Sequence, residues 1–194
     1  MKIGIFGGSF NPIHTGHAIL ANYLATETDL DAVWLMVAPR NPIKSDYDRA
    51  YDLHRLRMTE MVTSRIDGAI TSGLEFSLPY PSYTINTLNT LSEKFPDDSF
   101  VLVIGADNWS IFNRWRCADE IIARFEIYVY PRRGYEISIP DELQGKVKAL
   151  NSPLIEISST MVREKLARGE NLSFYLPDDV YKYILKHNLY TSTK

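Results

Sequence analysis

Cysteine is almost absent from this 194-residue chain: Cys117 stands alone, so no internal disulfide can form and a disulfide-stapled scaffold is excluded. Missing too is any apolar run near the ~18 residues that a membrane-spanning helix needs. The opening Met-Lys-Ile-Gly-Ile-Phe-Gly-Gly lacks the long apolar core of a signal peptide, and the expected compartment is a reducing cytoplasm. Basic excess is also lacking. The 21 Lys and Arg against 24 Asp and Glu give a formal net charge of −3, with no global field to grip a nucleic-acid backbone. An anionic ligand must then be held by a local site, which suits a small phosphorylated substrate. Internal repeats, low-complexity tracts and long linkers are absent. What is there is an ordinary globular composition, 45% hydrophobic and 23% charged with 10 Gly and 10 Pro. The length suits one α/β domain over residues 1–194 with a small helical part at its C-terminal end.

Lys2 to Phe6 is a β-rich run closed by Gly7 and Gly8, which predicts a buried first strand and a tight loop. A helix follows, with Thr15 as its expected N-cap and Ile19, Leu20, Tyr23 and Leu24 at helical spacing. Ala32 to Val37 predicts a second buried strand that breaks at Pro39, Arg40 to Tyr47 a loop, and Asp48 to Ser64 a helix. Ala69 to Glu75 has a weaker strand pattern. Beyond Pro79-Tyr80-Pro81, Ser82 or Thr84 can cap a helix running to Lys94, and Phe100 to Ile104 and Glu126 to Tyr130 read as further strands. Ser159 to Arg168, closed by Gly169, and a helix opened by Pro177-Asp178 follow. Strands alternating with helices predict parallel βαβ units in an open, doubly wound, Rossmann-like sheet covered on both faces. Such sheets bind ligands at the carboxyl ends of their strands, near the point where strand order reverses.

The densest cluster of unusual residues is Gly7-Gly8-Ser9-Phe10-Asn11-Pro12-Ile13-His14-Thr15-Gly16-His17, where the first strand hands over to the first helix. Glycines there permit close backbone approach, and a helix N-terminus presents N–H groups and partial positive charge to an anion. His14 and His17, three apart, fall on one side of the first turn, so both imidazoles can face one phosphate chain. The P-loop pattern Gly-x-x-x-x-Gly-Lys-[Ser/Thr] and the dinucleotide spacing Gly-x-Gly-x-x-Gly are missing, which disfavours a P-loop ATPase and hydride transfer. Zinc is disfavoured because Cys117 is remote and no nearby carboxylate completes a ligand set. Later in the chain, Ile157-Ser158-Ser159-Thr160-Met161-Val162-Arg163 offers Ser158 or Ser159 as a helix cap and Thr160 in the first turn. Arg163 projects from that turn toward whatever the cap binds.

These two runs resemble the signatures of the HxGH nucleotidyltransferase superfamily, GGSFNPIHTGH and ISSTxxR, the second of which closes over the ATP phosphates there. Further segments are similar to bacterial nicotinate-nucleotide adenylyltransferases. They are Pro81-Ser82-Tyr83-Thr84 with Thr87-Leu88, Ile104-Gly105-Ala106-Asp107 with Phe112 and Trp115, Arg132-Arg133-Gly134-Tyr135, and Leu176-Pro177-Asp178-Asp179-Val180 on to Tyr190. Together they span nearly the whole chain in the family's order. Asn11 stands where the family usually has Asp, which raises a question about charge beside the metal-bound phosphates, and Arg133 stands where it usually has Pro.

The resemblance implies transfer of AMP from ATP to nicotinate mononucleotide, with Mg²⁺ held mainly by substrate phosphates. It implies catalytic roles for His14, His17, Lys44, Thr160 and Arg163, and ATP contacts also from Gly7, Gly8, Ser9, Phe10, Gly105, Asp107, Ser158 and Ser159. Acceptor contacts fall to Ser9, Lys44, Tyr83, Thr84, Trp115 and Arg132. Trp115 can stack on the cationic pyridine ring or simply pack in the core, Thr84 with nearby N–H groups can read the carboxylate, and Tyr83 is as readily structural. Lys44 can equally be a solvated surface residue, Arg55 is expected to brace the loop that carries it, and His54 and His187 receive no functional role. Two other readings stay open: a related adenylyltransferase acting on nicotinamide mononucleotide or phosphopantetheine, and a non-catalytic nucleotide sensor. Nucleic acid and membrane are not expected partners, and the expected assembly is a monomer or small homo-oligomer.

Overall fold

The computed structural model describes residues 1–39 and 46–191, the side chains of 46–50 excepted. Among the described residues six strands form one sheet: β1 (Lys2–Gly8), β2 (Ala32–Val37), β3 (Ala69–Ser72), β4 (Ser99–Gly105), β5 (Glu126–Tyr130) and β6 (Val147–Ala149). Their order is β3-β2-β1-β4-β5-β6 and every neighbouring pair is parallel. The chain winds outward through β2 and β3 on one side of β1 and through β4, β5 and β6 on the other. Strand order therefore reverses between β1 and β4, and the crevice at their carboxyl ends is the place such a sheet offers to a ligand.

Alternation along each strand explains why both faces are covered. Phe6, Val33, Leu35, Val37, Val101, Val103 and Tyr128 point to one face, and Ile3, Ile5, Met36, Leu102, Ile104, Ile127 and Val129 to the other. Helices α1 (Thr15–Thr26), α2 (Asp46–Thr63), α6 (Ser159–Ala167) and α7 (Asp178–Lys186) supply the partners on the first face, through Leu20, Leu24, Met58, Val162 and Val180. Helices α3 (Thr84–Lys94) and α5 (Ala118–Arg124) cover the second with Ile85, Leu88, Leu91 and Ile121. Each fully buried aliphatic side chain of this kind contributes about 1.5–3 kcal/mol relative to exposure. The C-terminal helical part is packed into the same buried cluster as β1 and β2.

Several element boundaries differ from the sequence reading. The third strand stops at Ser72, because Gly73 opens a 3-10 turn, Leu74–Ser77, that carries Glu75 out of the sheet. The N-cap of α1 is His14, not Thr15, and that of α3 is Tyr83, not Ser82 or Thr84. Two short elements went unread, β6 and the seven-residue α5, and the helix at Asp107 is a single turn, α4 (Ala106–Trp109). No helix of the described residues is long and apolar enough to cross a membrane.

Candidate active site

At the end of β1 the chain needs a sharp change of direction, and local sequence supplies it. Phe10 adopts a left-handed backbone (φ 42°) and the Asn11–Pro12 peptide is cis, which turns the chain into α1. The Phe10 ring is 1% exposed and meets Phe6 and His17 edge-on at 5.6 and 5.1 Å between ring centres. Gly8 leaves room for it, since a Cβ there would sit 2.9 Å from the Phe10 ring. Arg55, 0% exposed, fixes the loop from below: its guanidinium donates to the Ser9 carbonyl, to the Ala38 carbonyl at 2.8 Å and to Asp52 Oδ1 at 2.5 Å. Arg55 thus braces the glycine-rich loop and the end of β2 together. Removing either partner would leave a buried charge unmatched.

On this platform the two histidines stack, ring centres 3.7 Å apart and planes 26° from parallel. Gly16 leaves room for the stack, since a Cβ there would come within 3.1 Å of His14 Nδ1. The His14 backbone N–H donates to His17 Nδ1 at 3.3 Å, so a neutral His17 carries its proton on Nε2. Burial, then the His14 and Arg132 charges, hold the His17 imidazole well below its ordinary 6.5, and burial with Arg132 pushes His14 down to about 4. Two neutral imidazoles at a helix N-terminus are hydrogen-bond donors that need no counter-charge until an anion arrives.

The second motif docks onto the first. Ser158 caps α6, accepting from the Met161 N–H at 3.2 Å; Ser159 Oγ donates to the Pro12 carbonyl at 2.9 Å. The Arg163 guanidinium donates to the Asn11 carbonyl at 2.7 Å and to Thr160 Oγ1 at 3.2 Å. Asn11 is 5% exposed and its Oδ1 accepts from the Tyr190 hydroxyl at 2.8 Å, so its amide serves the fold. Two motifs nearly 150 residues apart in sequence thus become one surface.

A cavity of about 250 Å³ opens at the reversal point, lined by Gly7 and Gly8, Thr84, Trp115 and Tyr130, with Glu75 on its wall. Trp115 is half-buried and leans on Phe112, ring centres 5.2 Å apart. The N-cap of α3 has no side chain accepting from the first-turn N–H groups, and Thr84 stands at that terminus. Beside the histidines a smaller recess of about 30 Å³ is lined by His14, His17, Tyr130 and Arg132. Arg132 Nε lies 3.6 Å from Asp107 Oδ1, a long ion pair in which both atoms are buried without a hydrogen bond. Gly105 lies beneath it, and a Cβ there would fall 2.3 Å from Asp107 Oδ1, so the carboxylate would have to move.

Of the residues singled out from sequence, the fold gathers His14, His17, Ser158, Ser159, Thr160 and Arg163 around one loop, and Gly7, Gly8, Thr84 and Trp115 around one cavity. Arg132 sits with the histidines and not in the Trp115 cavity. The Tyr83 ring is held under the Arg116 guanidinium at 4.7 Å, outside the cavity lining. Phe10 supports His17 from within the core, and Ser9 lends its carbonyl to Arg55. Lys44 lies outside the described residues. Glu75 entered the sequence reading only as the end of a strand and Tyr190 only as the end of the family-like tail, because the contacts that give each its place, with Thr87 and with Asn11, are set by the fold. Among the described residues no group of three or more His, Cys, Asp or Glu is placed to hold a metal ion.

The model of the cytidylyltransferase-like family matches residues 5–165. A probable nicotinate-nucleotide adenylyltransferase of Bacteroides fragilis is 45% identical over 185 residues, covering 95% of this chain and 92% of that protein. One from Bacteroides thetaiotaomicron is 42% identical over 187 residues, 96% of this chain and 92% of that protein. Among solved structures, Plasmodium falciparum nicotinic acid mononucleotide adenylyltransferase complexed with NaAD superposes with a TM-score of 0.77 at 20% identity, covering 97% of both chains, which speaks to the fold. A putative nicotinate-nucleotide adenylyltransferase from Vibrio parahaemolyticus gives a TM-score of 0.68 at 26% identity over 99% of this chain and 96% of its own.

Proposed function

The chain belongs to the cytidylyltransferase-like family, and on that footing we propose that it transfers the AMP part of ATP to nicotinate mononucleotide, giving nicotinate adenine dinucleotide and pyrophosphate. The observation that carries this reading is the neutral, stacked pair His14 and His17 at the α1 N-terminus, joined through Asn11 and Pro12 to the capped N-terminus of α6. Two helix N-termini and a guanidinium around one loop suit a triphosphate.

In this reading the acceptor's 5′-phosphate oxygen attacks the α-phosphorus of ATP, a new P–O bond forms, and the bond to the β-phosphate oxygen breaks in line to release pyrophosphate. No protein nucleophile takes part. The Nε2–H of His17 donates to the α-phosphate where charge builds up, His14 lies beside it on the phosphate chain, and Thr160 and Arg163 hold the departing phosphates. A phosphate role for Lys44 is carried by the family resemblance alone. Magnesium would be held mainly by the substrate's own phosphates, with few ligands from the protein, and would supply positive charge to them. Asp107 and Arg132, paired loosely over Gly105, accept and donate to the nucleoside.

The acceptor occupies the cavity at the β1/β4 reversal. Trp115 stacks on the cationic pyridine ring, and the uncapped α3 terminus at Thr84 takes the ring carboxylate. A reducing, cytoplasmic setting suits the free, exposed Cys117. Turnover measured by pyrophosphate release with ATP and each mononucleotide tests the proposal: the acid acceptor is expected to be used at least about a hundred-fold more efficiently than the amide. A clear preference for the amide would overturn the acceptor assignment.

A further inference from the structure

Among the described lining residues of the acceptor cavity Glu75 is the one charged side chain, and it is an acid. An acid beside an acidic ligand is unfavourable unless it acts on the cavity wall. Its partners are all on that wall. The Thr87 hydroxyl, one turn into α3 and buried, donates to Glu75 Oε1 at 2.8 Å, and the Ser82 hydroxyl, two residues ahead of the helix on the same cavity wall, favours the ionised form of that carboxyl. Burial pushes the Glu75 carboxyl up, and these two hydroxyls pull it back. Glu75 thus clasps the approach to α3 and its first turn at once. Between the clasped points lies the α3 terminus itself, where the N–H groups of Asn86 and Thr87 turn back to the Tyr83 carbonyl at 2.9 and 3.3 Å and no side chain caps the residues before them.

We propose that Glu75 is a positioning residue that sets acceptor specificity: by holding Ser82 and Thr87 it aims the first-turn N–H groups of α3 at a carboxylate, and not a carboxamide, on the acceptor ring. The proposal rests on the acceptor reading above. A fixed set of N–H donors satisfies both oxygens of a carboxylate but offers nothing to an amide NH₂, so selectivity depends on how rigidly the set is held.

The test compares wild type, E75A, E75Q and T87V for kcat and KM with nicotinate mononucleotide, nicotinamide mononucleotide and ATP, alongside thermal melts. In E75A the KM for the acid acceptor is expected to rise about ten-fold while kcat and the ATP KM stay within about two-fold, so that the acid-over-amide ratio of kcat/KM falls about ten-fold. E75Q, whose amide oxygen still accepts from Thr87, should recover most of the ratio, and T87V should reproduce E75A. An unchanged acid-over-amide ratio in E75A, or in T87V should E75A not fold, overturns the proposal. A wild-type enzyme that does not use the acid acceptor overturns the underlying reading, and the two failures are told apart by that first measurement.

Discussion

Replacing His17 with alanine separates chemistry from folding more cleanly than any other single change. The ring contributes one long backbone bond at 3.3 Å, a stack on His14 and an edge contact with Phe10. Losing these should cost roughly 1–2 kcal/mol of stability, as is common for a partly buried side chain without a charged partner. In the proposed mechanism the same substitution removes the Nε2–H donor from the reacting phosphate. A preorganised donor of that kind is worth about 10²–10³ in kcat, or ~2.7–4 kcal/mol. H17A is therefore expected to fold, to melt a few degrees lower and to turn over hundreds of times more slowly at saturating ATP and acceptor. H17N, which keeps an N–H donor at shorter reach, should fall between. Pyrophosphate release and a thermal melt on the same preparation check both arms; turnover within about three-fold of wild type in a folded H17A would refute the assigned role.

Stability should depend on pH through His14, whose folded value of about 4 lies below the ordinary 6.5. Between these values the unfolded chain binds a proton that the folded chain refuses, so stability is complete above about pH 6.5 and declines as pH falls toward 4, by on the order of 3 kcal/mol. Urea titrations across that window should show the decline, and H14A should make it shallower, leaving the part that the buried His17 contributes. Gly16→Ala pushes a Cβ to 3.1 Å from His14 Nδ1 and should lower turnover at least about ten-fold with a smaller effect on melting, read by the same pair of assays. Tyr190→Phe leaves the buried Asn11 Oδ1 without its donor and should cost about 1–3 kcal/mol in a denaturant titration. Trp115→Ala should raise the acceptor KM with little change in that for ATP, and Trp115→Phe should recover part of it, as a kinetic comparison would show.

The sheet was legible where strands are long and apolar. Ala32–Val37 and Glu126–Tyr130 match the sequence reading at both ends, because a strand buried on both faces is a continuous apolar run. Three-residue β6 carries one buried position, too few for any period. The cap of α1 was misplaced because hydroxyls are the usual caps, whereas here the N-cap N–H is met by the imidazole of His17 three residues on, in the way a glutamate serves a capping box. The two motifs were visible, and the resemblance implied that they come together; the contacts that join them were not, since Arg163 reaches Asn11 across 152 residues and spacing rules do not span such distances. Arg55 was read as a brace, yet its complete burial could not be foreseen from a helix pattern that places it beside exposed Leu53 and Arg57. Glu75 illustrates the same limit: its partner Thr87 lies 12 residues away, across a loop whose path only the fold determines.

The account depends on one triphosphate being gripped by both motifs at once. A crystal structure with a non-hydrolysable ATP analogue and Mg²⁺ tests this most directly. The account predicts His17 Nε2 on the α-phosphate and the Thr160 hydroxyl and Arg163 guanidinium on the β- and γ-phosphates, each within ordinary hydrogen-bond reach of about 2.7–3.2 Å. An analogue bound with its phosphates on only one of the two motifs, the other left facing solvent, would contradict it.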